Sequence, residues 1–214
     1  MNVVAPPRSR LTVEVVFDLV CPWCFLGTRR LRRTLRARPD LAADLIWRPF
    51  LLNPDSPGDA GFRKAGAADR TRRLQATLTE LGRAEGVPFR FDLIHRVPSS
   101  LDAHRLVRLA TRRGGASEIV DRLFLAHFAE GLDVGDHVTL AAIAAEAGLD
   151  RVATRRFLAG DGDVEAVHAE NLRAHRLGIN GVPCFVVAGR HAIAGAQEPE
   201  VLERLLDVAL AEAA

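Results

Sequence analysis

The segments LTVEVVF at 11–17 and CPWC at 21–24 are the most informative part of this sequence. The first is apolar and rich in β-branched residues, which predicts a buried strand, and the turn-prone Asp18 follows it. The pattern from Phe25 to Arg38 predicts an amphipathic helix that ends before Pro39. This order places two thiols at a helix N-terminus, where unpaired backbone N–H groups and the helix dipole favour an anion.

The middle of the chain predicts a long helical segment. A short strand is expected at 45–50, and the breaker cluster NPDSPG at 53–58 indicates a domain boundary. From Phe62 to Leu177, apolar residues recur at three- and four-residue spacings. Glycine and proline breaks divide this segment into roughly six short antiparallel helices.

After Gly178 the pattern changes back to strands. The expected elements are a strand at 184–188, a two-residue turn at Gly189–Arg190, a returning strand at 191–194 and a last helix at 199–211. The two ends of the chain must meet in space, because neither has enough strands to be stable alone.

These elements predict an α/β protein with a discontinuous sheet domain. The sheet domain is expected to comprise residues 1–57 and 178–214, and residues 58–177 are expected to form an all-helical insertion domain. No internal repeat is evident within the insertion.

Composition excludes several classes of protein. With 48% hydrophobic and 26% charged residues in 214, the chain is typical of a globular protein and not of a disordered one. A net charge of +2 argues against nucleic acid or an anionic membrane as a partner, and the six arginines at 29–38 are expected to form a solvated helix face.

The first ten residues lack the apolar run of a signal peptide, and no run of the sequence could span a membrane, so a cytoplasmic protein is expected. The oligomeric state stays open between monomer and homodimer.

The chain has three cysteines, Cys21, Cys24 and Cys184, which are too few and too odd in number for a secreted disulfide scaffold. A CxxC pair alone is compatible with zinc binding or with dithiol redox chemistry. A structural zinc site needs four ligands, and the sequence has no second CxxC and no HxxxH. Redox chemistry is therefore favoured, and no metal is predicted.

The position of each cysteine predicts its role. Cys21 is expected at the helix cap, exposed and facing the free N–H groups, which would stabilise its thiolate and make it the nucleophile. Cys24, one turn further, lies within disulfide reach and is expected to be the buried resolving thiol. Pro22 suits the first helical position, and Trp23 adds apolar surface without charge. Without a histidine between the cysteines, the pair should be a weaker oxidant than Cys-Pro-His-Cys.

Several further positions have a structural and a functional interpretation. A trans Val182–Pro183 bond is the common case, whereas a cis bond would present the Val182 backbone to a bound peptide and lay the Pro183 ring beside the cysteines. Asp18 either caps the strand–helix turn or takes the Cys24 proton through a water molecule. Cys184 is expected to be a small buried strand residue rather than a third exchanging thiol. Structural, satisfied histidines are expected at His104, His127, His168 and His175.

A set of short sequence motifs occurs along the chain in the same order as the predicted elements. They are the strand–CPWC–helix start, Trp47-Arg48-Pro49-Phe50, Ala103-His104-Arg105-Leu106, Gly181-Val182-Pro183 before the hairpin, and Gly195-Ala196-Gln197 after it. In this order they resemble the thioredoxin-fold DsbA family, in particular its FrnE-like oxidoreductases and the related 2-hydroxychromene-2-carboxylate isomerases. The resemblance implies a thioredoxin-like fold with a large helical insertion. It also implies dithiol–disulfide exchange with Cys21 as nucleophile, Cys24 as resolving cysteine and Pro183 as the cis-proline.

The same resemblance supplies competing hypotheses. The isomerase relatives use glutathione and their nucleophile position resembles a serine, whereas this chain keeps both thiols, which favours redox chemistry. We expect a thiol–disulfide oxidoreductase without a cofactor, acting on protein or small-molecule thiols, with glutathione as a candidate co-substrate and Pro22, Trp23 and Val182 contacting the substrate. One alternative is a glutathione-dependent isomerase or transferase of small aromatic or polyketide-like compounds. The other is a non-enzymatic chaperone or binding module with a redox switch.

Overall fold

The computed structural model describes residues 9–54 and 67–212; the N-terminal residues before Ser9 and the predicted domain boundary at 57/58 lie outside them. Within those ranges, the elements follow the predicted order of β-α-β, six helices and β-β-α. The strands are β1 (Ser9–Phe17), β2 (Leu41–Pro49), β3 (Cys184–Val187) and β4 (His191–Ala194). The helices are α1 (Pro22–Arg36), α2 (Ala67–Ala84), α3 (Leu101–Thr111), α4 (Ala116–Phe128), α5 (His137–Glu146), α6 (Arg151–Ala159), α7 (Val164–Arg176) and α8 (Pro199–Ala211).

The four strands form one mixed sheet in the order β2-β1-β3-β4. β2 is parallel to β1, while β3 runs antiparallel to β1 and forms a hairpin with β4. The two ends of the chain therefore share one sheet, as predicted. Val13, Val15 and Phe17 of β1 are fully buried, and Val16 on the other face is nearly so. Both faces of this central strand are covered, as is usual where a helix connects parallel strands.

Different helices cover the two faces of the sheet. α1 and α8 pack together on one face, where Phe185 of β3 lies next to Gly27 of α1. α7 packs near β2 on the other face, where Ala174 lies in a small apolar cluster with Val16 and Cys184. Because side chains alternate along a strand, Cys184 and Phe185 point to opposite faces.

The helical insertion shares its core with α1. Phe25 of α1 stacks on Phe124 of α4 with 5.1 Å between ring centroids. The ring centroids of Phe89 and Phe128 lie 5.7 and 5.9 Å from that of Phe25. Aromatic pairs of this kind stabilise a fold by about 0.5–1.5 kcal/mol beyond their burial. The helix that carries the cysteine motif is thus held by the insertion as well as by the sheet.

The hairpin turn differs from the predicted two-residue turn at Gly189–Arg190. Three residues separate β3 from β4, and the Arg190 N–H donates to the Val187 carbonyl oxygen at 3.2 Å. Ala188 and Gly189 have φ values of 53° and 69°, as the central pair of a type I′ turn requires. The prediction was one residue late because alanine is uncommon at positive φ.

Candidate active site

The two cysteines of the motif meet at the first turn of α1. Cys21 is the N-cap residue, as predicted, with an extended backbone (φ −95°, ψ 113°), and Pro22 follows it in the first turn. The Cys21 carbonyl oxygen accepts hydrogen bonds from the N–H groups of Cys24 and Phe25 at 3.0 and 3.3 Å. Both cysteines are free thiols, and the Cys21 thiol is close enough to Cys24 to raise the pKa of the Cys24 thiol. The tight turn therefore brings the two sulfur atoms together.

Cys21 is less accessible than predicted. It was expected to be exposed, but only 5% of the residue is. The reason lies in the loop before β3, because the Cys21 thiol donates to the Val182 carbonyl oxygen at 3.6 Å. The Val182–Pro183 peptide bond in this loop is cis, and the Gly195 N–H donates to the Pro183 carbonyl oxygen at 2.7 Å. The Val182 backbone therefore covers one side of the Cys21 sulfur.

Cys24 is fully buried behind Cys21. Burial raises the pKa of the Cys24 thiol well above its usual range, and the neighbouring Cys21 thiol raises it further. The Asp18 N–H donates to the Cys24 sulfur at 3.5 Å, which partly opposes this increase in the Cys24 pKa. A thiol in such surroundings stays protonated until a base removes its proton. The buried position agrees with the role predicted for a resolving cysteine.

Asp18 is a fully buried carboxylate at the end of β1. Its Oδ2 atom accepts a hydrogen bond from the Leu52 N–H at 2.8 Å, and its Oδ1 atom accepts one from the Val20 N–H at 3.3 Å. These bonds hold the turn between β1 and α1 against the segment that follows β2. Its negative charge is close enough to contribute to the raised pKa of Cys24. Asp18 therefore has the hydrogen bonds expected of a residue that caps the turn, and it also lies near Cys24, as an acceptor of the Cys24 proton must.

The predicted substrate-contacting residues lie at the same end of α1. Pro22, Trp23 and Val182 are each half-buried, and Trp23 and Val182 also pack against the main core. Val182 is brought directly against Cys21 through its carbonyl group. Their contact with a substrate stays a prediction.

Cys184 lies in a separate environment. It is buried, as predicted, and belongs to the apolar cluster with Val16 and Ala174, while Cys21 and Cys24 belong to the main core. Burial raises the pKa of the Cys184 thiol. Both observations fit a small core residue of β3.

Sequence reasoning missed the histidine that lies beside Asp18. His104 of α3 was expected to be a satisfied structural residue, but neither of its buried ring nitrogens has a hydrogen-bond partner among the described residues. Its Nε2 atom lies 3.6 Å from the Asp18 Oδ1 atom. His127 of α4 is also buried, and it does have a partner, the Leu132 carbonyl oxygen at 3.4 Å. The motif Ala103-His104-Arg105-Leu106 was the one feature of the sequence that could have indicated a role for His104.

Neither a metal-binding cluster nor a membrane-spanning helix lies within residues 9–54 and 67–212. No group of three or more His, Cys, Asp or Glu side chains there could hold a metal ion. No helix within the same ranges is both long and apolar enough to cross a membrane.

The site as a whole combines two neighbouring thiols, a helix N-terminus beneath the outer thiol and a carboxylate near the inner one. Such an arrangement defines the class of thioredoxin-fold proteins with a CxxC pair. Comparison with known proteins agrees, since residues 12–207 match the model of the DSBA-like thioredoxin domain.

Solved structures support the same assignment. The chain is similar to the probable DsbA oxidoreductase SCO1869 from Streptomyces coelicolor, with 30% identity, a TM-score of 0.85, and coverage of 94% of this chain and 91% of that one. It shares its fold with a 2-hydroxychromene-2-carboxylate isomerase (16% identity, TM-score 0.75, 94% and 97% coverage). It also shares its fold with the cytosolic disulfide reductase DsbM from Pseudomonas aeruginosa, determined with GSH (21% identity, TM-score 0.63, 94% and 99% coverage). The chain belongs to the DSBA-like thioredoxin domain family, which confirms the predicted family and thioredoxin-like fold.

Proposed function

We propose that this protein is a dithiol–disulfide oxidoreductase that uses Cys21 and Cys24. The observation that carries the proposal is the position of one thiol at the N-cap of α1 with a second, fully buried thiol one turn away. Cys21 lies at the positive end of the α1 dipole, and burial keeps Cys24 protonated until it is needed. This asymmetry gives the two cysteines different tasks.

The reaction has two exchange steps. The Cys21 thiolate attacks one sulfur of a substrate disulfide, a Cys21–substrate disulfide forms, and the other substrate sulfur leaves as a thiolate. Cys24 then gives up its proton and attacks the Cys21 sulfur. The Cys21–Cys24 disulfide forms, and the second substrate sulfur leaves with the electron pair of the broken bond. The substrate is reduced to two thiols and the protein is oxidised; the reverse sequence oxidises a dithiol.

Asp18 is the base that we assign to the second step. Its carboxylate is fully buried and acts electrostatically on Cys24. It receives the Cys24 proton through an intervening water molecule and returns it when the pair is reduced again. A base in this place offsets the unfavourable ionisation of a buried thiol.

The substrate is held at the backbone of Val182 and the half-buried side chains of Pro22 and Trp23. Protein disulfides or small-molecule disulfides are the proposed substrates, and glutathione is the proposed co-substrate, since a disulfide reductase of the same fold was determined with GSH. That neighbour is described as cytosolic, which supports a cytoplasmic location. Retention of both thiols argues for this activity over the glutathione-dependent isomerase reaction.

Reduction of insulin disulfides by dithiothreitol tests the proposal. The wild-type protein is expected to accelerate the reaction, and Cys21→Ser is expected to reduce the rate to the uncatalysed background because no second accessible thiol can replace the nucleophile. Cys184→Ser is the matched control, since this buried thiol lies in a separate cluster, and it should keep wild-type activity. Equal activity of wild type and Cys21→Ser would contradict the proposal.

A further inference from the structure

His104 is a buried histidine whose hydrogen-bonding capacity is unused among the described residues. The residue is fully buried, and both ring nitrogens lack a hydrogen-bond partner there. A buried polar group without a partner costs about 1–3 kcal/mol, so native proteins keep few of them. An imidazole in this condition needs an explanation beyond packing.

Its surroundings point to Asp18. The His104 Nε2 atom lies 3.6 Å from the Asp18 Oδ1 atom, just beyond hydrogen-bond distance, with both side chains fully buried. On another side the His104 ring meets the edge of Phe17, with 5.1 Å between ring centroids. A small closure of the gap would therefore complete a hydrogen bond between the two side chains.

Three elements bring titratable groups to Asp18. Cys24 faces it from α1, with Cys21 beyond it, and His104 faces it from α3. His127 of α4 is within electrostatic range of Asp18, although its ring is bonded to Leu132 and burial lowers its pKa. Among these groups, His104 is the one whose nitrogen atom is directed at the carboxylate.

We infer that His104 is a positioning residue for the disulfide exchange and that, through Asp18, it shares the proton released by Cys24. The inference rests on the proposed function, because it concerns the step in which Cys24 attacks the Cys21–substrate disulfide. Before that step His104 is the neutral Nδ1–H tautomer, and its Nε2 lone pair faces the Asp18 carboxylate across the 3.6 Å gap. After the Cys24 proton has reached Asp18, the carboxyl O–H donates to Nε2, so that a single proton moves and His104 keeps its own. The proton returns by the same route when the Cys21–Cys24 disulfide is reduced.

The choice of residue fits this role. A neutral histidine can keep its proton on Nδ1 while the lone pair on Nε2 accepts from a carboxylic acid, so this side chain can stabilise Asp18 in the form that holds the Cys24 proton. A leucine or phenylalanine would fill the same space without that property. Structural histidines are normally bonded, as His127 is.

The test is a double-mutant cycle on the resolving step, with glutathione disulfide as the probe. Reduced protein is mixed with excess glutathione disulfide, quenched with acid, and analysed by mass spectrometry for the Cys21–glutathione adduct. In His104→Gln we expect unchanged formation of the adduct and about tenfold slower decay, part of the effect usual for acid–base groups. The pH profile of the decay should also differ from that of the wild type, because the proton released by Cys24 then lacks one of its two acceptors.

The Asp18→Asn background separates proton sharing from packing. There, His104→Gln is expected to change the decay rate less than twofold, because coupled residues give non-additive effects. His127→Gln is the matched control and should leave the decay rate and its pH profile unchanged. If His104→Gln does not fold, as judged by thermal unfolding, His104→Asn takes its place.

Two outcomes would overturn the inference. One is a decay rate and pH profile in His104→Gln equal to those of the wild type, and the other is the same slowing in the presence and absence of the Asp18 carboxylate. A wild-type protein that forms no Cys21–glutathione adduct at all would instead contradict the proposed function, and this inference with it. The two failures are thus distinguishable.

Discussion

At the level of single residues, burial separates the chemistry of two identical side chains. Cys24 is fully buried, and its raised pKa follows from that burial first and from Cys21 second. Cys21, three positions earlier, has the free N-terminal end of α1 beneath it and the Val182 carbonyl beside it. The backbone turn sets this difference, so a CxxC spacing at a helix start is enough to produce it.

His127 gives a prediction about stability and pH. Burial lowers its pKa from the ordinary value of 6.5, so the unfolded chain binds a proton there more readily than the folded protein does. The stability that depends on a neutral His127 is complete above that value and is lost as the pH falls, by about 1.4 kcal/mol for each unit of pKa difference. Urea denaturation at about pH 7 and about pH 5 should show a smaller loss in His127→Gln than in the wild type. Exposed His168→Gln is the control, and parallel pH dependence of all three proteins would contradict the prediction.

At the level of elements, the site depends on how closely α1 approaches the loop before β3. Gly27 of α1 lies where an added Cβ atom would be 2.9 Å from Pro183 Cγ, 3.2 Å from Phe185 Cζ and 3.3 Å from Ala196 Cα. These are shorter than ordinary van der Waals contacts, and two of the three atoms belong to groups that cannot rotate away. The absence of a side chain at Gly27 therefore allows the loop to lie against Cys21.

Gly27→Ala should consequently affect both stability and exchange. Overpacking typically costs about 1–3 kcal/mol, and displacement of Pro183 would move the Val182 carbonyl away from the Cys21 sulfur. We expect a lower urea midpoint and slower insulin reduction. Gly115→Ala is the matched control, because an added Cβ there would come no closer than 4.0 Å to its neighbours. Unchanged stability and activity in Gly27→Ala would show that the loop is not held by this contact.

At the level of the whole molecule, a buried ion pair joins the helical insertion to the sheet domain. Arg30 of α1 donates to Glu85, which follows α2, at 3.1 Å, and both side chains are almost fully buried. The same guanidinium donates to the Ala196 carbonyl oxygen at 2.7 Å and pairs with Glu198 at 2.8 Å, both in the loop before α8. One arginine thus ties three parts of the chain that are distant in sequence.

Glu85→Gln should therefore destabilise the whole protein. Removal of one partner of a buried pair typically costs about 3–5 kcal/mol, and we expect the lower end, about 3 kcal/mol, because Glu198 still faces Arg30. Urea denaturation should show a single transition at lower urea. Asp69→Asn removes an exposed pair with Arg72 and should change the free energy of unfolding by about 0.5 kcal/mol or less. A similarly small effect of Glu85→Gln, or separate transitions for the two parts, would contradict this account.

The sequence predicted the elements well where local signals mark them. The bounds of β4 and α8 agree with the prediction because a turn glycine and Pro199 mark them. β2 begins at Leu41 and not at residue 45. Its first residues, LAAD at 41–44, pair with β1 through long-range contacts, but they have no β-branched or alternating pattern of their own. The local propensity of a segment does not predict its pairing with a strand that is distant in sequence.

The same distinction applies to the site. Cys21, Cys24 and Asp18 are neighbours along the chain, so their proximity could be predicted from the sequence, although the sequence left two interpretations of Asp18 open. The proximity of His104 to Asp18 depends on how α3 packs across the end of β1, which no local pattern encodes. The low exposure of Cys21 was missed for a similar reason, since Val182 is distant in sequence.

Trapping of the covalent intermediate tests the proposed division of labour between the two thiols most directly. Reduced Cys24→Ser and Cys21→Ser proteins are treated with glutathione disulfide, and the modified residue is identified by peptide mass spectrometry. We predict that Cys24→Ser accumulates glutathione on Cys21, that Cys21→Ser stays unmodified at the buried Cys24, and that the wild type proceeds to a Cys21–Cys24 disulfide. Modification of Cys24 in preference to Cys21, or no adduct in Cys24→Ser, would contradict the account.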